Sequence, residues 1–167
     1  MVNYLAEPKQ FASWSADAAS EIIDRHLSER GPLLEILNDL QRTFGFIHED
    51  AIALVAEELN LSQAEVYGVL TFYKDLRTEP PGTFVLKICK AESCQSVGAN
   101  QLAEAAQEIF QTKIGSTSQD QSVTLEEVFC LGNCALSPAM MVGEKLLGRM
   151  DVERIAKLSD EIKSVTL

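Results

Sequence analysis

The chain has 167 residues and a formal net charge of -11, from 25 acidic against 14 basic side chains. Such a surface repels nucleic acid and anionic membranes, which argues against partners of either kind and leaves a more basic protein, or solubility alone, as the use of the charge. With 46% hydrophobic residues the chain can bury a core without disulfides, and its length suits one ordinary domain or two small ones.

The opening Met1-Val2-Asn3-Tyr4-Leu5-Ala6-Glu7 has neither a basic nor an apolar signal region, so no signal peptide is expected there. No apolar run of membrane-spanning length follows. The expectation is a cytoplasmic protein, free to dock on a larger membrane-associated assembly. In a reducing compartment closely spaced cysteines act as ligands or redox thiols rather than as structural disulfides.

From Ser15 to about Ser28, Ala18, Ala19, Ile22, Ile23 and Leu27 recur at helical spacing. Trp14, just ahead of them, is expected to be a staple or packing anchor. Gly31-Pro32 breaks the chain and places Pro32 at the start of a second helix, whose broad apolar face carries Leu33, Leu34, Ile36, Leu37 and Leu40 and which ends at Gly45. A third helix runs from about Glu49 to Glu58 with Ile52, Val55, Ala56 and Leu59 on one face. Ser62-Gln63-Ala64-Glu65 has the form of a capping box and starts a short fourth helix with Val66, Val69 and Leu70. Helices this short are marginal alone, so they must bury their stripes against one another as a small bundle.

Thr71 to Leu76 continues or caps the fourth helix, and its Phe72 and Tyr73 are expected to point inward, as aromatic side chains ordinarily do. The two histidines, His26 and His48, have no cysteine or paired acid near them in sequence and suit surface or capping roles. Arg77-Thr78-Glu79-Pro80-Pro81-Gly82 is rich in turn residues and divides the chain into a helical domain, 1–80, and a second domain, 81–167.

Beyond that break the periodicity changes. Phe84 to Ile88 reads as a strand that delivers Cys89 at its end, and Val97 to Phe110 reads as a helix with Leu102, Ala105, Ala106, Ile109 and Phe110 on one face. Gly115 to Gln121 reads as a polar loop, and Val123 to Phe129 as a strand leading into Cys130. Ala139-Met140-Met141-Val142 is a third strand, turned at Gly143-Glu144, with Lys145-Leu146-Leu147 as its return. At least one of Met140 and Met141 is expected in packing, and Pro138 is placed to fix the loop before the strand. A last helix spans Asp151 to about Ile162 with Val152, Ile155, Ala156 and Leu158 on its apolar side. The order suggests a small sheet with helices packed on it, and the fold class is α+β.

All four cysteines fall in two tight pairs, Cys89 with Cys94 and Cys130 with Cys134, each at the exit of a strand. Neighbouring strands would bring the pairs together at the carboxyl end of the sheet, where α/β proteins build sites. A thioredoxin-like disulfide centre has two residues between its cysteines, and neither pair has that spacing. All-thiolate ligand sets select zinc, copper(I) or iron–sulfur clusters. Structural zinc suits four thiolates, but it commonly staples domains too small to fold unaided. A [2Fe–2S] centre takes two ligands on each iron, which two separate pairs supply, with Gly98 and Gly132 easing close backbone approach. Four uncoordinated core cysteines are the third reading.

Several segments together carry a family resemblance: Gly45-Phe46-Ile47, Val69-Leu70-Thr71-Phe72-Tyr73, Pro81-Gly82, Cys89 with Cys94 and Gly98, and Cys130-Leu131-Gly132-Asn133-Cys134 with Pro138. Over nearly its whole length the protein resembles the thioredoxin-like [2Fe-2S] subunit family of NADH dehydrogenases, known from respiratory complex I, with relatives in NAD-linked hydrogenases and formate dehydrogenases. Complex I members often carry Pro before the second cysteine, where this protein has Ser93. Cys89-Lys90-Ala91-Glu92-Ser93-Cys94-Gln95-Ser96 looks more like the gamma subunit of NAD-dependent molybdenum formate dehydrogenases.

The resemblance implies a helical N-terminal domain that docks a partner, with Phe72 and Tyr73 near the join, followed by a thioredoxin-like α/β [2Fe-2S] ferredoxin domain. It implies one [2Fe-2S] cluster on Cys89, Cys94, Cys130 and Cys134, and no catalytic residue on this chain. FMN and NAD would sit on a partner flavoprotein, within a complex that holds further iron–sulfur or molybdenum subunits. The sequence itself contains neither Gly-x-Gly-x-x-Gly nor a phosphate-cradling Lys-Ser/Thr loop. The function expected is that of an electron-transfer subunit of a NAD-dependent formate dehydrogenase, or alternatively of an NADH:quinone oxidoreductase or NAD-linked hydrogenase. A zinc-stapled interaction module and a free-standing ferredoxin are the rival classes.

Overall fold

A computed structural model of the chain describes residues 4, 5 and 10–166. Apart from Tyr4 and Leu5, the opening stretch in which no signal peptide is expected lies outside the described residues. The chain divides into two compact units, one of them Gln10–Pro80 and the other formed from Pro81 onward with Tyr4 and Leu5.

In the first unit α1 (Ala16–His26), α2 (Leu33–Phe44), α3 (Glu49–Glu58) and α4 (Gln63–Phe72) follow one another. Their starts are set by local chemistry. The Ser15 side chain accepts from the Ala18 N–H at the head of α1, and His48 accepts from the Asp50 N–H at the head of α3. The capping box at α4 is complete, with Ser62 accepting from Glu65 N–H while the Glu65 carboxylate accepts from Ser62 N–H at 2.8 Å. Pro32 falls just before α2 rather than inside it, and Gly45 terminates that helix as expected. Ile22, Ile23, Ile36, Leu37, Leu40 and Val55 form the buried centre. Trp14 is an anchor, stacked on His48 at 4.5 Å between ring centroids and edge-on to Phe44 at 5.1 Å.

One expectation fails in this unit. Phe72 is 77% exposed and Tyr73 41%, with their rings edge-on to each other at 5.2 Å. The core-facing positions of α4 are taken by Val66 and Leu70. Phe72 stands about 200° further round the helix than Leu70, and Tyr73, the extended C-cap, leaves the helix altogether.

The second unit is a mixed five-stranded sheet in the order β2-β3-β1-β4-β5. The strands are β1 (Phe84–Cys89), β2 (Ser116–Thr117), β3 (Val123–Val128), β4 (Met140–Val142) and β5 (Lys145–Leu147). Among the described residues only β1 and β3 pair in parallel, from Phe84↔Val123 to Cys89↔Val128; β2 on β3, β4 on β1 and β5 on β4 are antiparallel. Three helices accompany the sheet: the single-turn α5 (Glu92–Gln95), α6 (Ala99–Phe110) and α7 (Val152–Thr166). α6 packs on β1, β3 and α7. Phe84, Leu86 and Ile88 alternate into the core from β1, where they meet Leu102, Leu125, Met140, Ile155 and Leu158. Met140 is therefore a packing residue, and Tyr4 joins the same core. β2, a strand of two residues, stands inside the stretch expected to be a polar loop. α7 runs four residues beyond the expected end at Ile162.

An N-terminal helical bundle thus precedes a thioredoxin-like unit of mixed sheet and helices.

Candidate metal centre

The parallel pairing of β1 and β3 puts both cysteine loops at the same, carboxyl, end of the sheet. Cys89 is the last residue of β1, and its N–H donates to the Ala139 carbonyl at 3.0 Å. Lys90 N–H then donates to Val128 O at 2.8 Å, so the two loops part only after that point. Cys94 lies in α5, whose single turn folds the first loop back toward the sheet. Cys130 comes two residues after β3, and Cys134 opens a 3-10 turn, Cys134–Leu136. Gly132 between them has φ +72, and its N–H donates to the Cys130 sulfur at 3.3 Å. Any other residue would strain that left-handed turn.

A second glycine holds the loop from behind. A Cβ at Gly148, just past β5, would come within 2.6 Å of Leu136 Cβ and 2.9 Å of Leu136 O. That close approach lets Arg149 N–H donate to the Leu136 carbonyl at 2.6 Å. The Ser137-Pro138 peptide that follows is cis.

The pairs differ in exposure. Cys89 and Cys94 are 2% and 1% exposed in a small apolar shell with Ala99 and Ala139, against which Ala91, Val128 and Leu131 pack. Cys130 and Cys134 are exposed, and all four thiols are free. Burial pushes the Cys89 thiol above its ordinary value against the pull of the Ala91 and Leu131 N–H groups, and the neighbouring Cys94 adds to the push. At Cys94 burial acts in the same direction but is outweighed by the Ser137 hydroxyl, the Ala139 N–H and Cys89, so its thiol lies below the ordinary value. The Leu131 N–H belongs to the second loop and acts on a sulfur of the first, which joins the two loops at the sulfur level.

This donor set fits an iron–sulfur cluster. Four thiols stand in two pairs, and backbone N–H groups from Ala91, Leu131, Gly132 and Ala139 are directed at the sulfurs, the arrangement that would offset thiolate charge in such a centre. Among the described residues no three His, Cys, Asp or Glu side chains gather round one ion position. The histidines are engaged elsewhere and, against expectation, each has an acid close by in sequence: His48 caps α3 and lies 3.4 Å from the Asp50 carboxylate, and His26 bridges to Asp39 and Glu29 at 2.9 and 3.0 Å. Sequence reasoning missed Ser137, whose Oγ lies 3.5 Å from Cys94 Sγ and 3.0 Å from Ser93 Oγ. Its only signal was a hydroxyl three residues after Cys134.

Residues 19–163 match the family described as thioredoxin-like [2Fe-2S] ferredoxin. The NADP-reducing hydrogenase subunit HndA of Solidesulfovibrio fructosivorans is 29% identical over 84% of this chain and 82% of its own length. An NADH-quinone oxidoreductase subunit of Buchnera aphidicola is 32% identical over 78% of this chain and 80% of its own, and the subunit of the same name in Escherichia coli is 27% identical over 94% and 95%. Among solved structures, a NAD+-reducing [NiFe]-hydrogenase in the air-oxidized state contains the same fold, with a TM-score of 0.69 at 20% identity over 80% of this chain. The chain spans 23% of that hydrogenase chain. Among the described residues no helix is long and apolar enough to cross a membrane. With its cysteine loops at the carboxyl ends of two parallel strands and the match running through both units, the chain belongs to the thioredoxin-like [2Fe-2S] ferredoxin family of electron-transfer subunits.

Proposed function

We propose that Cys89, Cys94, Cys130 and Cys134 hold one [2Fe–2S] cluster, and that the chain is the electron-transfer subunit of a NAD(P)-linked oxidoreductase complex. The observation that carries this reading is the placement of the two cysteine loops at the adjoining ends of parallel β1 and β3. When bound, such a cluster supplies one-electron transfer. The chain's own residues hold it and set its surroundings. Cys89 and Cys94 anchor the buried side within the alanine-lined shell, which keeps water from it, and Cys130 and Cys134 lie on the side open to a partner. None of the four acts as nucleophile or proton carrier.

Hydride chemistry belongs on a partner flavoprotein that carries FMN and NAD, with the helical unit as the part that grips it. The relatives named above are subunits of quinone oxidoreductases and of a hydrogenase, and they favour a parent complex of that kind. A formate dehydrogenase rests only on the Cys89–Ser96 motif.

Replacing each cysteine in turn by Ser tests the ligand set. Each variant is expected to lose most of its iron and the EPR signal of the dithionite-reduced protein, while far-UV circular dichroism stays near that of the wild type. Full iron and an unaltered spectrum in any one variant would remove that residue from the set. A wild-type protein that is colourless and carries one zinc would be the interaction module instead.

A further inference from the structure

The Ser137 hydroxyl stands between the two cysteine loops with more acceptors in reach than it can serve. It has one proton. It donates to the Cys134 carbonyl at 2.8 Å, lies 3.5 Å from the Cys94 sulfur, and meets Ser93 Oγ at 3.0 Å, with both serines half-buried. A protonated Cys94 can donate to Ser137. A metal-bound Cys94 has no proton to give, so a hydrogen bond between the two must then run from Ser137 to sulfur. The Ser93 hydroxyl can meanwhile donate into a lone pair of the Ser137 oxygen, which polarises the Ser137 O–H and turns its proton outward.

We propose that Ser137, oriented by Ser93, donates its hydroxyl proton to the Cys94 sulfur and thereby raises the reduction potential of the bound centre. This rests on the four-cysteine cluster reading above. In the reduced form, with the electron supplied by the partner's flavin or by dithionite, the Cys94 sulfur would be the stronger acceptor and the O–H would turn to it from the Cys134 carbonyl. The rotation breaks no covalent bond and moves no proton off Ser137. A donor that binds more strongly to the reduced form favours that form and shifts the potential upward. The backbone N–H groups aimed at the sulfurs are fixed by the fold; this hydroxyl is free to rotate, so the side-chain pair Ser93 and Ser137 sets an adjustable part of the potential.

The test is an EPR-monitored potentiometric titration of the full chain, with iron counted per chain, for the wild type and for Ser137→Ala, Ser137→Thr and Ser93→Ala. Ser137→Ala is expected to keep its iron and titrate at a more negative potential, and Ser137→Thr, which keeps a hydroxyl, to titrate close to the wild type. Ser93→Ala should shift in the same direction by less. An unchanged or more positive midpoint for Ser137→Ala would overturn the proposal. If Ser137→Ala fails to retain iron, Ser93→Ala decides: a negative shift supports the proposal and an unchanged midpoint overturns it. A wild-type chain with no two-iron signal would overturn the cluster reading, and this inference with it.

Discussion

Cys89 and Cys94 are only five residues apart, yet burial holds one thiol up while the Ser137 hydroxyl and the Ala139 N–H draw the other down. Spacing along the chain marks the four cysteines as the candidate ligands, because a metal site needs its donors and the chain has no other cysteines. It could not reveal that asymmetry, because Ser137 and Ala139, which draw Cys94 down, lie more than forty residues further along the chain. The same limit hid the role of His26. Its ring links α1 to α2 through Asp39, and those two residues are thirteen positions apart. Asp39, with Glu29 after it, raises the His26 pKa from its ordinary 6.5, and His26 lowers that of Asp39. The His26 contribution is thus complete below pH 6.5 and lost as pH rises through the raised value, whereas the Asp39 contribution is present above its ordinary value and lost as pH falls through its lowered one. His26→Gln is expected to cost about 0.5–1 kcal/mol near pH 6 and progressively less as pH rises through the raised His26 value. Urea unfolding followed by Trp14 fluorescence checks this, since the only tryptophan lies in the helical unit. An equal loss at about pH 6 and about pH 9 would show that packing, not charge, is what His26 contributes.

Elements marked by strong local signals were legible. The Ser62 to Glu65 box, the stop at Gly45 and the strand ending at Cys89 rest on short-range chemistry, and each stands where the sequence puts it. β2 was not legible, because two residues are too few for alternation to show, and Ser116 and Thr117 become a strand only by pairing with Leu125 and Thr124. α5 was hidden too, a single turn inside what reads as a loop. Gly148 shows how a distant element supports the site. It is remote in sequence from the cysteines, but its missing side chain lets the end of β5 lie against Leu136 and Asn133. Gly148→Ala is expected to displace the Cys134 loop and reduce iron per chain severalfold after reconstitution. Gly68→Ala, where a Cβ meets open space, should leave iron content unchanged. Equal iron in the two variants would show that the second loop does not depend on that contact.

For the molecule as a whole, the burial rule that placed Phe72 and Tyr73 inside gave way to an exposed aromatic pair at the end of α4 on the helical unit. Exposed aromatic pairs are a common feature of protein contacts, which accords with the proposal that the helical unit grips a flavoprotein partner. Phe72→Ser is expected to weaken co-purification with that partner at least tenfold, about 1.4 kcal/mol or more, with the EPR spectrum unchanged. Undiminished co-purification would move the grip elsewhere. The parent complex was least legible, because the few residues around Ser93 lie beside the proposed cluster site and would not meet the substrate of the complex. The most direct measurement is anaerobic purification of the full chain with iron, sulfide and zinc analysis and EPR after dithionite reduction. Two irons, two labile sulfides and a rhombic spin-half signal per chain are the predicted result. One zinc per chain with no such signal would contradict the account.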